Sequence, residues 1–402
     1  MLTKLPIIPI AELFAKGLAF FIIIIMTRIL SVEEYGVLNY VVSLVMLVSV
    51  LMDGGINNYI FNKSVKNELE EINDYFNSRI VLSFLIILTL LIFVFFYQKK
   101  YFIYVLLYAT FVFFNSTLSF FKMLARGREY KKIDLETIAL DPFFRLLFLS
   151  ILFISHIHIS LIGILEIFLF VEIFIFLWIY FNVKQYFDLS LSFEKHFSKI
   201  KSILTDSKYF LIYYLFFVGM QRIDVLFINH TIDSTAVALF SSAYNLYMVI
   251  LLFFSSYLTS GFKSIMESKT KLVHYIKEVS LFYLLIASGI FLFSKYIYLI
   301  LYPAEYAMAH QYLILFMVSL PFTILSYFSM YYFNHIHKTY LNVIILFIFF
   351  SIKSIYLFLM QFEDIEMYIA VLIVTEIVLG ISYFILLTKY IRGAHIENPT
   401  DQ

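Results

Sequence analysis

Residues 213–230 read YYLFFVGMQRIDVLFINH, a run of hydrocarbon side chains with Arg222 and Asp224 set into it. How that run is read decides the fold. Hydrophobic residues make up 62% of the 402-residue chain and charged residues 14%, a balance far from that of a water-soluble domain. A helix needs about 20 mostly apolar residues to cross roughly 30 Å of hydrocarbon, and the chain supplies such segments almost without pause. The chain is therefore read as an all-α integral membrane protein, and 213–230 as part of one span. Two residues apart on a helix, Arg222 and Asp224 point about 200° from each other. They cannot form a local ion pair. Each needs its own partner on another helix or in water, so this span is expected to have protein or water on two sides.

Working outward, twelve spans are expected, at roughly 8–30, 37–60, 80–97, 101–121, 134–154, 161–182, 209–229, 237–262, 279–301, 310–333, 341–360 and 367–388. The first carries Glu12 and Lys16 and is read as an uncleaved span, not a signal peptide. The longest connection, 183–208, is read as an inter-lobe linker. It divides the chain into an N-terminal six-helix lobe, 1–182, and a C-terminal one, 209–402, which ends in a short tail. With the N-terminus placed in the cytoplasm, 21 Lys and Arg fall on inner loops and termini, among them Arg79, Lys122 and Arg126, against three (Arg28, Lys99 and Lys100) on outer ones. This bias predicts that both termini are cytoplasmic.

Mid-span charges are the candidates for function, because a charge at the bilayer centre costs about 2.5–3.5 kcal/mol on insertion scales. Glu12 with Lys16, and Asp141 with Arg145, are four residues apart and share a helix face, so each pair can neutralise itself. Pro142, beside Asp141, frees a carbonyl and kinks its span, which is tolerated where the site lines a cavity. Lys353 and Glu376 lie mid-span on the last two helices and are expected to pair with each other, with Glu376 also a candidate proton or sodium site. Glu172 has no partner on its own helix, which makes it a candidate for coupling to protons. Lys16, Arg28, Arg145, Arg222, Asp224 and Lys353 are the substrate or cavity candidates; Glu172, Glu376 and Asp141 are the ion-coupling candidates.

Other signals carry less. The high Phe, Tyr, Ile and Asn content fits AT-rich codon usage. The H-x-H pairs at 156–158 and 335–337 lack the further ligands of a zinc site, and the chain has no cysteine, so no metal is expected. No G-x-x-x-x-G-K-[ST] occurs, which excludes a P-loop. No cofactor and no nucleic-acid partner is expected. The run KMLARGREYKK (122–132) is read as an inner topogenic signal that can also hold anionic lipid head groups. SVEEYG (31–36), with Glu33 and Glu34, is read as a tight turn with solvated carboxylates.

Four stretches resemble one family: TRILSVEEYGVLNY (27–40), DGGINNYIFNKS (53–64), RIDVLFINHTIDSTAVALFSSAYNL (222–246) and ILYPAEYAMAHQYLIL (300–315). Together with the span layout, they are similar to the bacterial polysaccharide exporters of the multidrug/oligosaccharidyl-lipid/polysaccharide (MOP) flippase superfamily, most of all the Wzx-type O-antigen flippases. AVALF (236–240) departs from the family's usual Gly-x-Tyr. The resemblance implies a MATE-like or lipid-flippase-like fold of two six-helix lobes around a central cavity. It implies alternating-access movement of an undecaprenyl-diphosphate-linked oligosaccharide from the cytoplasmic to the periplasmic leaflet of a bacterial inner membrane, coupled to protons or sodium. It further implies membrane lipids, a polysaccharide polymerase and a chain-length regulator as partners. Arg222, Arg145 and Lys16 are then candidates to meet diphosphate or acidic sugar, with Arg28 at the exit. Two other readings remain at this level. A membrane polymerase or glycosyltransferase would require an outer loop longer than about 30 residues, and the outer loops here are short. A MATE-type drug or cation antiporter would share the fold.

Overall fold

The computed structural model describes residues 7–66, 72–187, 189, 197–266 and 269–397. Residues 188 and 190–196 of the expected linker lie outside the described residues, as do Lys4 and Lys195 of the inner cation set. Thirteen α-helices occur among the described residues: α1 (Ile7–Ile29), α2 (Val32–Asp53), α3 (Ile56–Val65), α4 (Ile72–Tyr97), α5 (Phe102–Gly127), α6 (Lys131–Ile154), α7 (Leu161–Lys184), α8 (Phe197–Thr231), α9 (Ser234–Met266), α10 (Lys269–Leu301), α11 (Ala309–His335), α12 (Thr339–Met360) and α13 (Ile365–Glu397). All but the short α3 contain a stretch long and apolar enough to cross a membrane, twelve in all. The chain is a multi-pass membrane protein with no strand among the described residues. Large apolar side chains such as Phe84, Phe96, Phe174, Phe358 and Leu359 point outward, the arrangement a lipid solvent favours.

The chain packs as two compact units, Met1–Arg222 and Ile223–Gln402. In the first, α5 is the hub and meets α2, α3, α4, α6 and α7, while α1 lies along α6. Its core is aromatic where α4 crosses α5: Phe76 stacks on Phe121 with ring centroids 5.6 Å apart. In the second, α11 is the hub and meets α9, α10, α12 and α13.

Local sequence fixes the helix ends that matter. Ser31 and Glu34 form a reciprocal capping box at the start of α2, with Glu34 N donating to Ser31 Oγ at 3.2 Å and Ser31 N donating to Glu34 Oε2 at 3.1 Å. The other oxygen of Glu34 accepts from Leu161 N at 3.2 Å, the first residue of α7. Glu34 is thus not merely a solvated turn carboxylate; it ties two helix starts together. At the far end of α2, Gly54 and Gly55 take φ of 54° and 80°, a left-handed turn that only glycine enters at no steric cost. The span breaks there and resumes as α3. Within α11, Pro321 removes the N–H that would meet the Met317 carbonyl. Tyr283 of α10 donates its hydroxyl to that carbonyl at 3.2 Å, which satisfies it inside the membrane.

Candidate functional site

The fourth span, α5, carries a polar stripe at helical spacing: Asn115, Ser116, Ser119, Lys122 and Arg126. Its neighbours bring further polar groups to it. Arg79 of α4 is buried, with its side chain 1% exposed. Its Nη1 donates to Asp53 Oδ1 at 3.1 Å and to Asn57 Oδ1, and its Nη2 donates to the Ser116 carbonyl at 2.7 Å and to Ser116 Oγ at 2.8 Å. One guanidinium therefore spans the Gly54–Gly55 break and pins both sides of it to α5. Arg79 was expected in an inner loop. Instead α4 starts at Ile72 and carries Arg79 inside the span, because Asp53, Asn57 and Ser116 supply acceptors for both Nη atoms.

Nearby, Asn115 Nδ2 donates to Glu172 Oε1 at 2.9 Å. Glu172 is fully buried on α7 and faces Asp141 of α6. Asp141 accepts from Arg145, as four-residue spacing predicted. Arg145 also lies over the rings of Phe111 and Phe168, 5.2 Å from each centroid. Asp141 Oδ1 and Glu172 Oε2 are buried without a hydrogen-bond donor. Tyr108 lies within electrostatic range of Arg145, Asp141 and Glu172, and of Arg222.

Two cavities flank α5 in the first unit. One, of about 390 Å³, is bordered by Asp53, Arg79, Tyr108, Asn115 and Ser119 among others. The second, of about 360 Å³, shares Asn115 and Ser119 and adds Glu12, Lys16 and Lys122. The expected Glu12–Lys16 pair does not form. Glu12 accepts from Arg126 at 2.8 Å and lies 3.5 Å from Lys122, while Arg126 also grips buried Asp134 through Nε at 2.9 Å. A forked guanidinium that binds two carboxylates at once outcompetes a flexible lysine on the same helix. Lys122 and Arg126 thus turn inward instead of forming a solvated basic loop, and Lys16 stays exposed in the second cavity.

In the second unit Lys353 of α12 donates to Asp224 Oδ2 at 2.6 Å, with both side chains almost fully buried. The expected Lys353–Glu376 pair is therefore replaced by Lys353–Asp224. Glu376 of α13 instead accepts from Thr323 Oγ1 at 3.1 Å, and Thr323 in turn accepts from the Tyr247 hydroxyl at 2.8 Å. The second oxygen of Asp224 is buried without a donor. Arg28 is exposed in the last turn of α1.

Six of the nine candidates fall in these two clusters: Asp141, Arg145 and Glu172 in the first unit, Asp224, Lys353 and Glu376 in the second. The sequence reading placed Arg79, Lys122 and Arg126 on inner loops, and left Asp53, Asn57 and the neutral residues of the α5 stripe out of the candidates. The signal was present: Asn115, Ser116 and Ser119 recur at helical spacing inside an apolar run, but neutral polar groups do not register in a search for charge.

Residues 2–262 match the model of the family described as polysaccharide biosynthesis protein. No curated protein matches the chain. Among solved structures, an inward-facing multidrug resistance MATE family transporter of the MOP superfamily aligns with TM-score 0.68 and 15% identity, over 98% of this chain and 100% of that one. An outward-facing transporter of the same description aligns with TM-score 0.64 and 14% identity, over 97% and 95% of the two chains. A MOP superfamily transporter from Pyrococcus furiosus aligns with TM-score 0.65 and 14% identity, over 98% and 96%. The fold is that of the MOP superfamily, as the resemblance implied.

Proposed function

Since the chain belongs to the polysaccharide biosynthesis protein family, we propose that it is a flippase. Its cargo is an undecaprenyl-diphosphate-linked oligosaccharide, an O-antigen or similar surface-polysaccharide repeat unit, which it moves from the cytoplasmic to the periplasmic leaflet of a bacterial inner membrane by alternating access. The lobes are 1–182 and 209–402, joined by 183–208, with both termini in the cytoplasm. One observation carries the reading: the chain's polar machinery lies inside the spans, around α5 in the first unit and among α8, α11, α12 and α13 in the second. The described connections at 98–101, 155–160, 302–308 and 361–364 are short, which counts against a polymerase, whose site needs a long enclosing loop.

The geometry refines the candidate roles. Arg145 and Lys353 are committed to carboxylates and serve the bundle. Lys16, exposed in a cavity, and Arg222, near Tyr108, are the better candidates to meet a diphosphate, with Arg28 at the exit. Glu172 with Asp141, and Glu376 beside the Asp224–Lys353 pair, are the ion-coupling candidates, since each cluster sets two carboxylates against one cation. A polymerase and a chain-length regulator act on the delivered unit.

The test is deletion of the gene. The expected result is a loss of surface polysaccharide with lipid-linked repeat units accumulating inside, restored by the wild-type gene and not by Lys16→Ala/Arg222→Ala. Sensitivity to cationic drugs with unchanged polysaccharide would overturn the proposal in favour of an antiporter.

A further inference from the structure

The cavity of about 390 Å³ beside α5 has chemistry of its own. Its volume falls at the lower end of the roughly 300–1,000 Å³ usual for small-molecule sites. Its charges balance, with Arg79 against Asp53. The four donor contacts of the Arg79 Nη atoms all go to protein acceptors, and its Nε is buried. The one donor without a partner, Nε, is shut away from solvent, so the guanidinium presents no accessible donor to an anion in the cavity. What remains toward the cavity is a set of acceptors. The Asp53 side chain stays 33% exposed, and its Oδ1 takes the bonds from Arg79 and Asn57 N, which leaves Oδ2 for the cavity. Asn115 spends its Nδ2 on Glu172 and keeps Oδ1. Ser49 and Ser119 donate to the carbonyls of Met46 and Asn115 and present lone pairs. Tyr108, Phe111 and Tyr214 add aromatic side chains to the lining.

An acceptor-rich, charge-balanced pocket with aromatic walls fits a ligand with many hydroxyl donors, no net charge and apolar C–H faces. We propose that this cavity is a subsite for one neutral pyranose ring, with Asp53 Oδ2 accepting from adjacent ring hydroxyls and Arg79 holding that carboxylate in place. The inference rests on the flippase reading and narrows it: the sugar is held by the charge-compensated Asp53 carboxylate and the neutral acceptors around α5, apart from the groups that meet the diphosphate.

The absence of native cysteine permits a direct test. Ser49→Cys reports on this cavity and Lys16→Cys on its neighbour. The full chain in nanodiscs is labelled with a small hydrophilic thiol reagent, with and without neutral methyl pyranosides, choline or inorganic phosphate. Only unoccupied sites react, so a methyl pyranoside at ten times its Kd should slow labelling of Ser49→Cys about tenfold and leave Lys16→Cys unchanged. Equal rates throughout, or protection by choline or phosphate instead of sugar, overturn the proposal. In cells, Ser49→Phe fills the cavity and should fail to restore polysaccharide export. If deletion blocks export and Ser49→Phe restores it fully, the subsite is refuted and the flippase stands. If deletion leaves export intact, the flippase reading falls and the labelling result is judged by itself.

Discussion

Replacing Lys353 with Met removes one half of an ion pair that is almost wholly out of solvent, its side chains 1% and 0% exposed and its atoms 2.6 Å apart. At an effective dielectric constant of about 20, the gross attraction at that separation is about 6 kcal/mol. Desolvating the two ions costs several kcal/mol each, so the intact pair contributes little net stability. Breaking it is another matter. Lys353→Met leaves Asp224 buried with both oxygens lacking a cation, and the expected loss is about 3–5 kcal/mol. Asp224→Asn should cost less, because Lys353 keeps Glu376 within its electrostatic reach. The double variant removes both charges and should recover at least half of the loss, because volume is kept and no ion is stranded. Equilibrium unfolding in mixed micelles, read by a reporter in the unit Ile223–Gln402, measures all three. Single-variant costs below about 1 kcal/mol, the scale of ordinary intramembrane hydrogen bonds, would refute the claim that this is a desolvated structural pair. So would a double variant no better than the worse single one.

Two further outcomes follow from packing in each unit. Arg79→Lys keeps the charge but loses the fork that reaches Asp53, Asn57 and Ser116 together; the expected cost is about 1.5–3 kcal/mol, read as unfolding of the first unit. Gly380→Val should destabilise the second unit by about 1–3 kcal/mol, since a Cβ there would lie 2.7 Å from the Phe322 carbonyl; Gly17→Ala, with nothing within 4 Å, is the control and should be near neutral by the same unfolding measurement.

The fold was legible in the sequence because its determinant is one-dimensional. A span is a property of about 20 consecutive residues, and half of the spans match the expected ones at both ends, whereas α4, α8 and α10 start well before them. The pairing of charges was legible only where it too is one-dimensional. Asp141 and Arg145 share a helix and a face, and they pair. Glu12 and Lys16 have the same spacing and do not, because Arg126, 114 residues along the chain from Glu12, arrives with a better geometry. Likewise Asp224 finds Lys353 at a separation of 129 residues, and hydropathy carries no information about such contacts. Arg79 was misplaced for a related reason: a cation near the start of a span reads as a loop residue unless its acceptors on three other helices are known.

Spacing does show a pattern once the helix starts are fixed. Arg145 is the fifteenth residue of α6, and Lys353 the fifteenth of α12. Glu172 is the twelfth residue of α7, and Glu376 the twelfth of α13. These are the fifth and eleventh spans, and the sixth and twelfth, which is the correspondence a six-plus-six repeat requires. The hubs agree, α5 being the fourth span and α11 the tenth. Each half thus sets a cation on its fifth span and a glutamate on its sixth at matching depth. The second carboxylate breaks the pattern: Asp141 comes from the same helix as its cation, whereas Asp224 comes from the seventh span. A cation kept only to make a buried carboxylate tolerable needs one partner. Two carboxylates against one cation leave each cluster with one negative charge in excess unless a proton or a small cation neutralises it, and such an excess is costly in hydrocarbon. That the two halves reach this excess by different third residues argues that the imbalance itself, not a particular contact, is what the architecture preserves. This is the physical ground for seeking ion coupling at Glu172 and Glu376 before any other group in the chain.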